Sequence, residues 1–192
     1  MINPRNFFLS AAIVSVFGLA ACGSDRGTSD QQAPAAVGQS AALSSSIEQH
    51  YQASLTLQGE PKISDDGVNI VVTVNVTNTG ATAFGSTTTP NNINLAAHSV
   101  DASGKVIDQD LARGHLPQIA PGTQATATIL LPIDKVLNKS AEILPVQENV
   151  AWFDKWGSKP LIVGPFNSCS GDNVGKICDA SGKPLAIAAA KQ

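Results

Sequence analysis

The chain has 192 residues, of which 43% are hydrophobic, 5% are aromatic and 14% are charged, and its formal net charge at pH 7 is −3. Such mild acidity, without any run of Lys or Arg, supplies no basic patch. We therefore exclude nucleic acid as an expected partner.

The first 21 residues have the form of an export signal. Arg5 precedes a mostly apolar run over 7–19, which is too short to span a bilayer as a permanent helix. The run ends in Leu19-Ala20-Ala21-Cys22, which resembles the signal of bacterial lipoproteins. The resemblance implies that Cys22 is lipidated and becomes the first mature residue and, because Gly23 rather than Asp follows it, that the anchor lies in the outer membrane. Ordinary cleavage, with Cys22 as a spare thiol, is the alternative.

Residues 22–46 are the lipidated cysteine and a linker rich in Ser, Ala, Gly and Gln. This composition has neither periodicity nor bulky side chains, so it cannot bury a core. We expect a flexible tether with an r.m.s. reach of roughly 25 to 30 Å.

Between residues 47 and 166 the pattern changes to short alternating apolar runs separated by Gly, Pro, Asn and Asp, which is typical of antiparallel strands. The clearest run places Val68, Ile70, Val72, Val74 and Val76 on one side and mostly polar residues on the other. Further runs lie at about 53–58, 93–100, 105–109, 124–131, 141–148 and 160–163. Their number and spacing predict an all-β, immunoglobulin-like antiparallel β-sandwich.

Alternation within these runs also predicts the core-facing side chains, which include Ile93, Leu95, Ala97, Ser99, Ala125, Ala127, Ile129 and Leu131. Pro145 interrupts the run at 141–148. Because proline loses a ladder hydrogen bond, we expect this strand to be an edge strand or to carry a bulge. The segment 133–140 favours a single helical turn.

Two identical segments, 101–105 and 179–183, have the sequence Asp-Ala-Ser-Gly-Lys. Each lies between short apolar runs, which predicts hairpin turns in which Gly supplies the positive φ and Asp bonds the turn backbone. Calcium loops are disfavoured because one carboxylate per loop provides too few ligands. The second copy predicts a hairpin in the C-terminal extension, residues 167–192.

Cys169 and Cys178 remain as one pair once Cys22 is assigned to lipid. In an exported protein they are expected to form a disulfide. Zinc is disfavoured because no His lies near them in the sequence. We expect no cofactor and no metal.

The stretch from about 94 to 163 resembles an immunoglobulin-like domain appended to bacterial enzymes of surface-polysaccharide assembly. It keeps an ordered set of that family's residues: His98, Asp101, Gly104, Arg113, Leu116, Pro117, Pro121, Gly122, Val146, Gln147, Glu148, Trp152 and Phe153. It departs at Ala97, Ser99, Pro145 and Asn149, and no transferase domain is attached. The resemblance implies the sandwich fold and a link to envelope glycans.

Three of the six aromatic residues beyond position 21 are crowded together as Trp152, Phe153 and Trp156. In one interpretation, Phe153 closes an end of the sandwich and Trp152 packs beneath the following loop. In the other, Trp156 and Trp152 are exposed stacking platforms for sugar rings, flanked by the hydrogen-bonding groups of Gln147, Glu148, Asn149 and Asp154. Of the two indoles, Trp156 is expected to be the more exposed.

His98, Arg113 and Glu148 form a second candidate group. They either converge as a polar cluster on the sheet surface or are separate surface residues. No catalytic motif is recognisable, so we expect a non-enzyme. The sequence favours a membrane-anchored lipoprotein that binds an envelope glycan, with an interaction protein that docks on another envelope protein as the alternative.

Overall fold

The computed structural model describes residues 51–86 and 92–189. The predictions for the export signal, Cys22 and the linker lie outside the described residues. Within the described part, no helix has the length and apolar character needed to cross a membrane.

The described residues are mostly β-strand. In chain order the strands are β1 (Ala53–Leu57), β2 (Lys62–Ile63), β3 (Asn69–Asn78), β4 (Ile93–Val100), β5 (Val106–Gly114), β6 (Gln124–Pro132), β7 (Lys139–Gln147), β8 (Ala151–Trp152), β9 (Leu161–Ser168) and β10 (Ile177–Cys178). A single-turn helix, α1 (Ile133–Val136), follows β6, and 3-10 helices cover Phe153–Trp156 and Gly171–Asn173. The predicted helical turn is confirmed.

The strands form two antiparallel sheets that share one hydrophobic core, which confirms the immunoglobulin-like β-sandwich. In the first sheet β3 is central, with β6 on one side and β1 and β2 in succession on the other. The second sheet has the order β10-β9-β7-β4-β5. In this sheet β9 pairs with the first part of β7, up to Ile143, and β8 pairs with its last two residues, Val146 and Gln147.

The core follows the predicted alternation, with one exception in β3. Ile70, Val72, Val74 and Val76 are fully buried, whereas Val68 is 57% exposed. The prediction for Val68 was wrong because β3 begins only at Asn69, and the Val68 carbonyl accepts a hydrogen bond from the Ile133 N–H at 3.1 Å. In β6, Ala127, Ile129 and Leu131 are buried and Ala125 is half-buried.

Strand β4 is fully buried on its core side and partly buried on the other. Its core-facing residues Ile93, Leu95, Ala97 and Ser99 are buried as predicted, and so is Ala96 on the opposite side. Its neighbour β5 is longer than predicted and runs to Gly114. Register shifts between Ala97 and Val100 interrupt the pairing of β4 with β5. Apolar and polar residues therefore do not alternate regularly along β5, and the sequence pattern does not show that the strand continues to Gly114.

Strand β7 is not an edge strand, because it lies between β4 and the pair β8 and β9, but it does carry the other expected feature, a register shift against β9 between Lys139 and Ala141. On the β8/β9 side, the registered partners are Ile143 with Leu161 and then Val146 with Trp152. Pro145 falls in the interval between them. A residue without an N–H is tolerated inside the sheet there, since one ladder is already interrupted.

Both Asp-Ala-Ser-Gly-Lys segments form the predicted hairpin turns. The Asp101 carboxylate accepts hydrogen bonds from the backbone N–H groups of Ser103 at 2.8 Å and Lys105 at 3.0 Å, and Asp179 repeats this pattern. Hydrogen bonds from the Ser103 hydroxyl and these N–H groups lower the pKa of Asp101 below its ordinary value. The equivalent bonds, led by that of the Ser181 hydroxyl, lower the pKa of Asp179.

The C-terminal extension connects the two sheets. The predicted disulfide Cys169–Cys178 is present, and β10 pairs with the end of β9 in the second sheet. The chain then turns and reaches the first sheet, where the Ile63 N–H donates to the Ala186 carbonyl at 2.8 Å and the Ala188 N–H donates to the Ile63 carbonyl at 2.7 Å. The extension therefore acts as a strap across one side of the sandwich.

Candidate functional site

Phe153 closes one end of the core. Its side chain is fully buried, and its ring centroid lies 5.3 Å from that of Phe84, 6.0 Å from Tyr51 and 5.1 Å from Trp156. Trp156 is half-buried in this aromatic group, and its backbone carbonyl accepts a hydrogen bond from the Gln52 side chain at 3.2 Å. Trp156 therefore packs as a cap on the core, and it is half-buried, as Trp152 also is.

Trp152 faces the other way. Neighbouring residues of an extended segment point to opposite sides of a sheet, and accordingly Phe153 contacts the core residues Phe84 and Tyr51 while Trp152 contacts His98. Trp152 is paired in register with Val146, which is paired in turn with Asn94 of β4. Directly paired residues share one side of a sheet, so Trp152 lies on the outer face with Val146 and Asn94. Val146 and Ala96 are buried on this face.

The half-buried indole of Trp152 contacts side chains from β4 and β5. The His98 ring centroid lies 3.6 Å from that of Trp152, with 34° between the ring planes. The Arg113 guanidinium carbon lies 5.3 Å from the Trp152 centroid, within the range of a cation–π contact. The His98 Nδ1 lies 3.0 Å from the Gln109 carbonyl oxygen, and since a carbonyl only accepts, this nitrogen donates.

The Glu148 carboxylate connects the polar side chains of the site. Its Oε1 accepts hydrogen bonds from the Asn94 side-chain amide at 2.8 Å and from the Arg113 Nε at 3.1 Å. Arg113 also pairs through Nη1 with Asp110 at 2.5 Å. The Arg113 and Glu148 side chains are 34% and 27% exposed, so both reach the surface. We call the residues Asn94, His98, Arg113, Glu148 and Trp152 the Trp152 cluster.

The remaining predicted contacts lie elsewhere. Gln147 is only 6% exposed and pairs in register with the buried Ile93, which puts it on the core side of the sheet. Asp154 is exposed in the 3-10 helix, where its carboxylate accepts a hydrogen bond from the Lys155 N–H at 2.9 Å. The structure thus brings together His98, Arg113, Glu148 and Trp152, and separates them from Gln147, Asp154 and Trp156.

Two contributors to the site were missed by sequence reasoning. Asn94 could have been found, since alternation along β4 puts it on the same side as His98. Asp110 could not, because the register shifts in the β4–β5 pair hide which β5 residues lie near Arg113.

The Trp152 cluster combines several groups that can form hydrogen bonds and ring contacts with a ligand. It offers a fixed carboxylate, an amide, a guanidinium and part of an indole surface within one patch. Among the described residues, no group of three His, Cys, Asp or Glu side chains is placed to hold a metal ion. Comparison with protein-family models and with curated proteins gave no match to this chain.

Proposed function

We propose that this protein is a non-catalytic lipoprotein, anchored in the outer membrane through Cys22, whose immunoglobulin-like domain binds an envelope glycan at the Trp152 cluster. The observation that carries the proposal is the Glu148 carboxylate, fixed by Asn94 and Arg113 on the same face as Trp152. The resemblance to domains of surface-polysaccharide enzymes supports the same ligand class.

A sugar presents hydroxyl groups around its rim and an apolar face. Carboxylate, amide and guanidinium groups match the hydroxyl groups, and an aromatic surface matches the apolar face. In the Trp152 cluster these groups are already held by one another, so binding would lose little side-chain entropy. The ring of Trp152 is partly covered by His98, which leaves its remaining surface and the outer edge of Glu148 as the contact.

The lipid anchor would keep the glycan-binding site close to the polymers of the cell envelope. Acyl chains contribute about 0.8 kcal/mol per buried methylene, and more than one chain makes attachment stable. A tethered domain meets envelope polymers at high local concentration, so modest intrinsic affinity suffices.

A glycan array probed with the mature chain carrying Cys22→Ser tests the proposal. We expect this chain, without further substitution, to bind envelope-type glycans. Glu148→Gln should weaken the binding by about tenfold, as expected for loss of a hydrogen bond to a charged group. Glu60→Gln is the matched control, since Glu60 is an exposed carboxylate whose partner is Lys183 of the C-terminal strap. Absence of binding, or equal effects of the two substitutions, would contradict the proposal.

A second candidate, docking on another envelope protein, has support from a different surface. A cleft of about 500 Å³ lies between β1 and the chain entering β9, lined by Ala53, Leu55, Ser158 and Leu161 among others. Ile162, at its rim, is 59% exposed. An extended segment of a partner could lie along these strands. A photo-cross-linker at Ser54 would then capture a protein in cells, while the same group at Thr126 on the sheet face would not; capture at neither position would oppose this candidate.

A further inference from the structure

Glu142 is a carboxylate on the outer face of the second sheet that no group in the described part of the chain satisfies. It is half-buried, and no described residue forms a hydrogen bond or ion pair with its side chain. It lies directly opposite His98 on β4 and opposite Ile162 on β9. Its carboxylate oxygens are not among the buried unpaired polar atoms of the described residues, so they are open to solvent and can accept hydrogen bonds from the hydroxyl groups of a ligand.

Glu142 lines a cavity of about 420 Å³. Other lining residues are Asp101 and Gly104 of the first Asp-Ala-Ser-Gly-Lys turn, Ser140 of β7 and Ile162 of β9. The cavity adjoins the Trp152 cluster through His98, which stacks on Trp152 and is paired in register with Glu142. The two places therefore belong to one continuous surface.

The length of this surface exceeds one sugar. Glu142 and Glu148 are separated by six positions along the chain of β7 and its end, which at about 3.4 Å per residue corresponds to roughly 20 Å. That distance is several times the width of a single sugar ring, so both carboxylates can be reached only by a chain of linked sugars.

The charges along the surface favour a neutral ligand. Arg113 is already shared between Asp110 and Glu148, and the Lys139 ammonium donates to the Lys135 carbonyl at 2.9 Å. The cavity is lined by the two carboxylates of Glu142 and Asp101 and by one ammonium, that of Lys139, so its balance of charge is negative and disfavours an acidic sugar.

On the basis of the proposed glycan binding, we infer that the site extends from the Trp152 cluster to Glu142 and takes a linear neutral glycan, with Glu142 accepting hydrogen bonds from sugar hydroxyl groups at its far end. The Trp152 cluster holds one end of the glycan, and the cavity beside Glu142 holds the other. His98 lies between them.

The test is a titration of the mature Cys22→Ser chain with neutral linear oligosaccharides from the glycan array, from disaccharide to hexasaccharide, and with uronic-acid counterparts of the same lengths. We expect the neutral hexasaccharide to bind at least about tenfold more tightly than the disaccharide. Glu142→Gln should lose about that factor for the hexasaccharide and leave disaccharide affinity unchanged. Glu60→Gln, with circular dichroism for folding, is the control.

The possible outcomes distinguish the extended site from the proposed glycan binding itself. Neutral glycans that bind through Glu148, but with no dependence on length or on Glu142→Gln, overturn this inference and leave the proposed function standing. Tighter binding of the uronic-acid series overturns it as well. Failure of every glycan to bind removes the proposed function and the extended site together.

Discussion

The disulfide Cys169–Cys178 should set the stability of the strap that joins the two sheets. Replacing both cysteines by Ala keeps the site apolar, which suits side chains that are 8% and 3% exposed. The bridge closes a short loop, with a sequence separation of 9. The chain-entropy relation for a loop of this length gives about 2.6 kcal/mol of stabilisation at 25 °C.

Loss of the bridge should also loosen the backbone hydrogen bonds between Ile63 and the strap, since these bonds form after the chain leaves Cys178. Urea unfolding of the mature Cys22→Ser chain, followed by Trp fluorescence, measures the effect. We expect the double variant to lose about 2.6 kcal/mol in the free energy of unfolding. Wild type treated with a dithiol reductant should match the variant, and the variant should not respond to the reductant. A loss below about 0.5 kcal/mol, within the range of ordinary surface changes, would refute the reasoning.

Three further predictions follow from other features. Gly114→Ala should lower the free energy of unfolding by about 1 to 3 kcal/mol in the same assay, because a Cβ there would lie 2.6 Å from the Thr128 carbonyl oxygen; an unchanged midpoint would contradict the close approach. The lowered pKa values of Asp101 and Asp179 mean that their carboxylates stabilise the turns above the ordinary carboxyl pKa, and that this contribution disappears as pH falls through the folded-state values. An Asp101→Asn, Asp179→Asn variant should therefore show a flatter dependence of stability on pH below about 4, and an identical acid profile would oppose this. Cys22→Ser should move the mature chain from the membrane to the soluble fraction, and a fully membrane-bound variant would argue against the lipid anchor.

Much of the fold could be predicted because alternation in β3, β4 and β6 is regular. A residue pattern with period two specifies both the strand and its buried side. Prediction failed where tertiary pairing decides the structure. The register shifts between β4 and β5 conceal the second half of β5, and Pro145 lies in an interior strand at the point where the ladder changes from β9 to β8.

The candidate site was predicted in part, for a related reason. Alternation puts His98 on the polar side of β4, and the resemblance singled out Arg113, Glu148 and Trp152. The relation of Trp152 to Trp156 was not predictable, because it depends on the change from strand to 3-10 helix after Trp152, which turns Phe153 and Trp156 into the core. Gln147 could not be recognised as buried, since the end of β7 carries polar residues on both sides.

The central claim is that the domain contacts glycan through Trp152 and not through Trp156. The chain has two Trp residues, so a nitrogen–proton correlation spectrum contains two indole signals, and Trp156 serves as an internal control. Titration with an array-positive neutral oligosaccharide should shift the Trp152 indole signal and leave that of Trp156 in place. A shift confined to Trp156, or no shift of either signal at saturating glycan, would contradict the account.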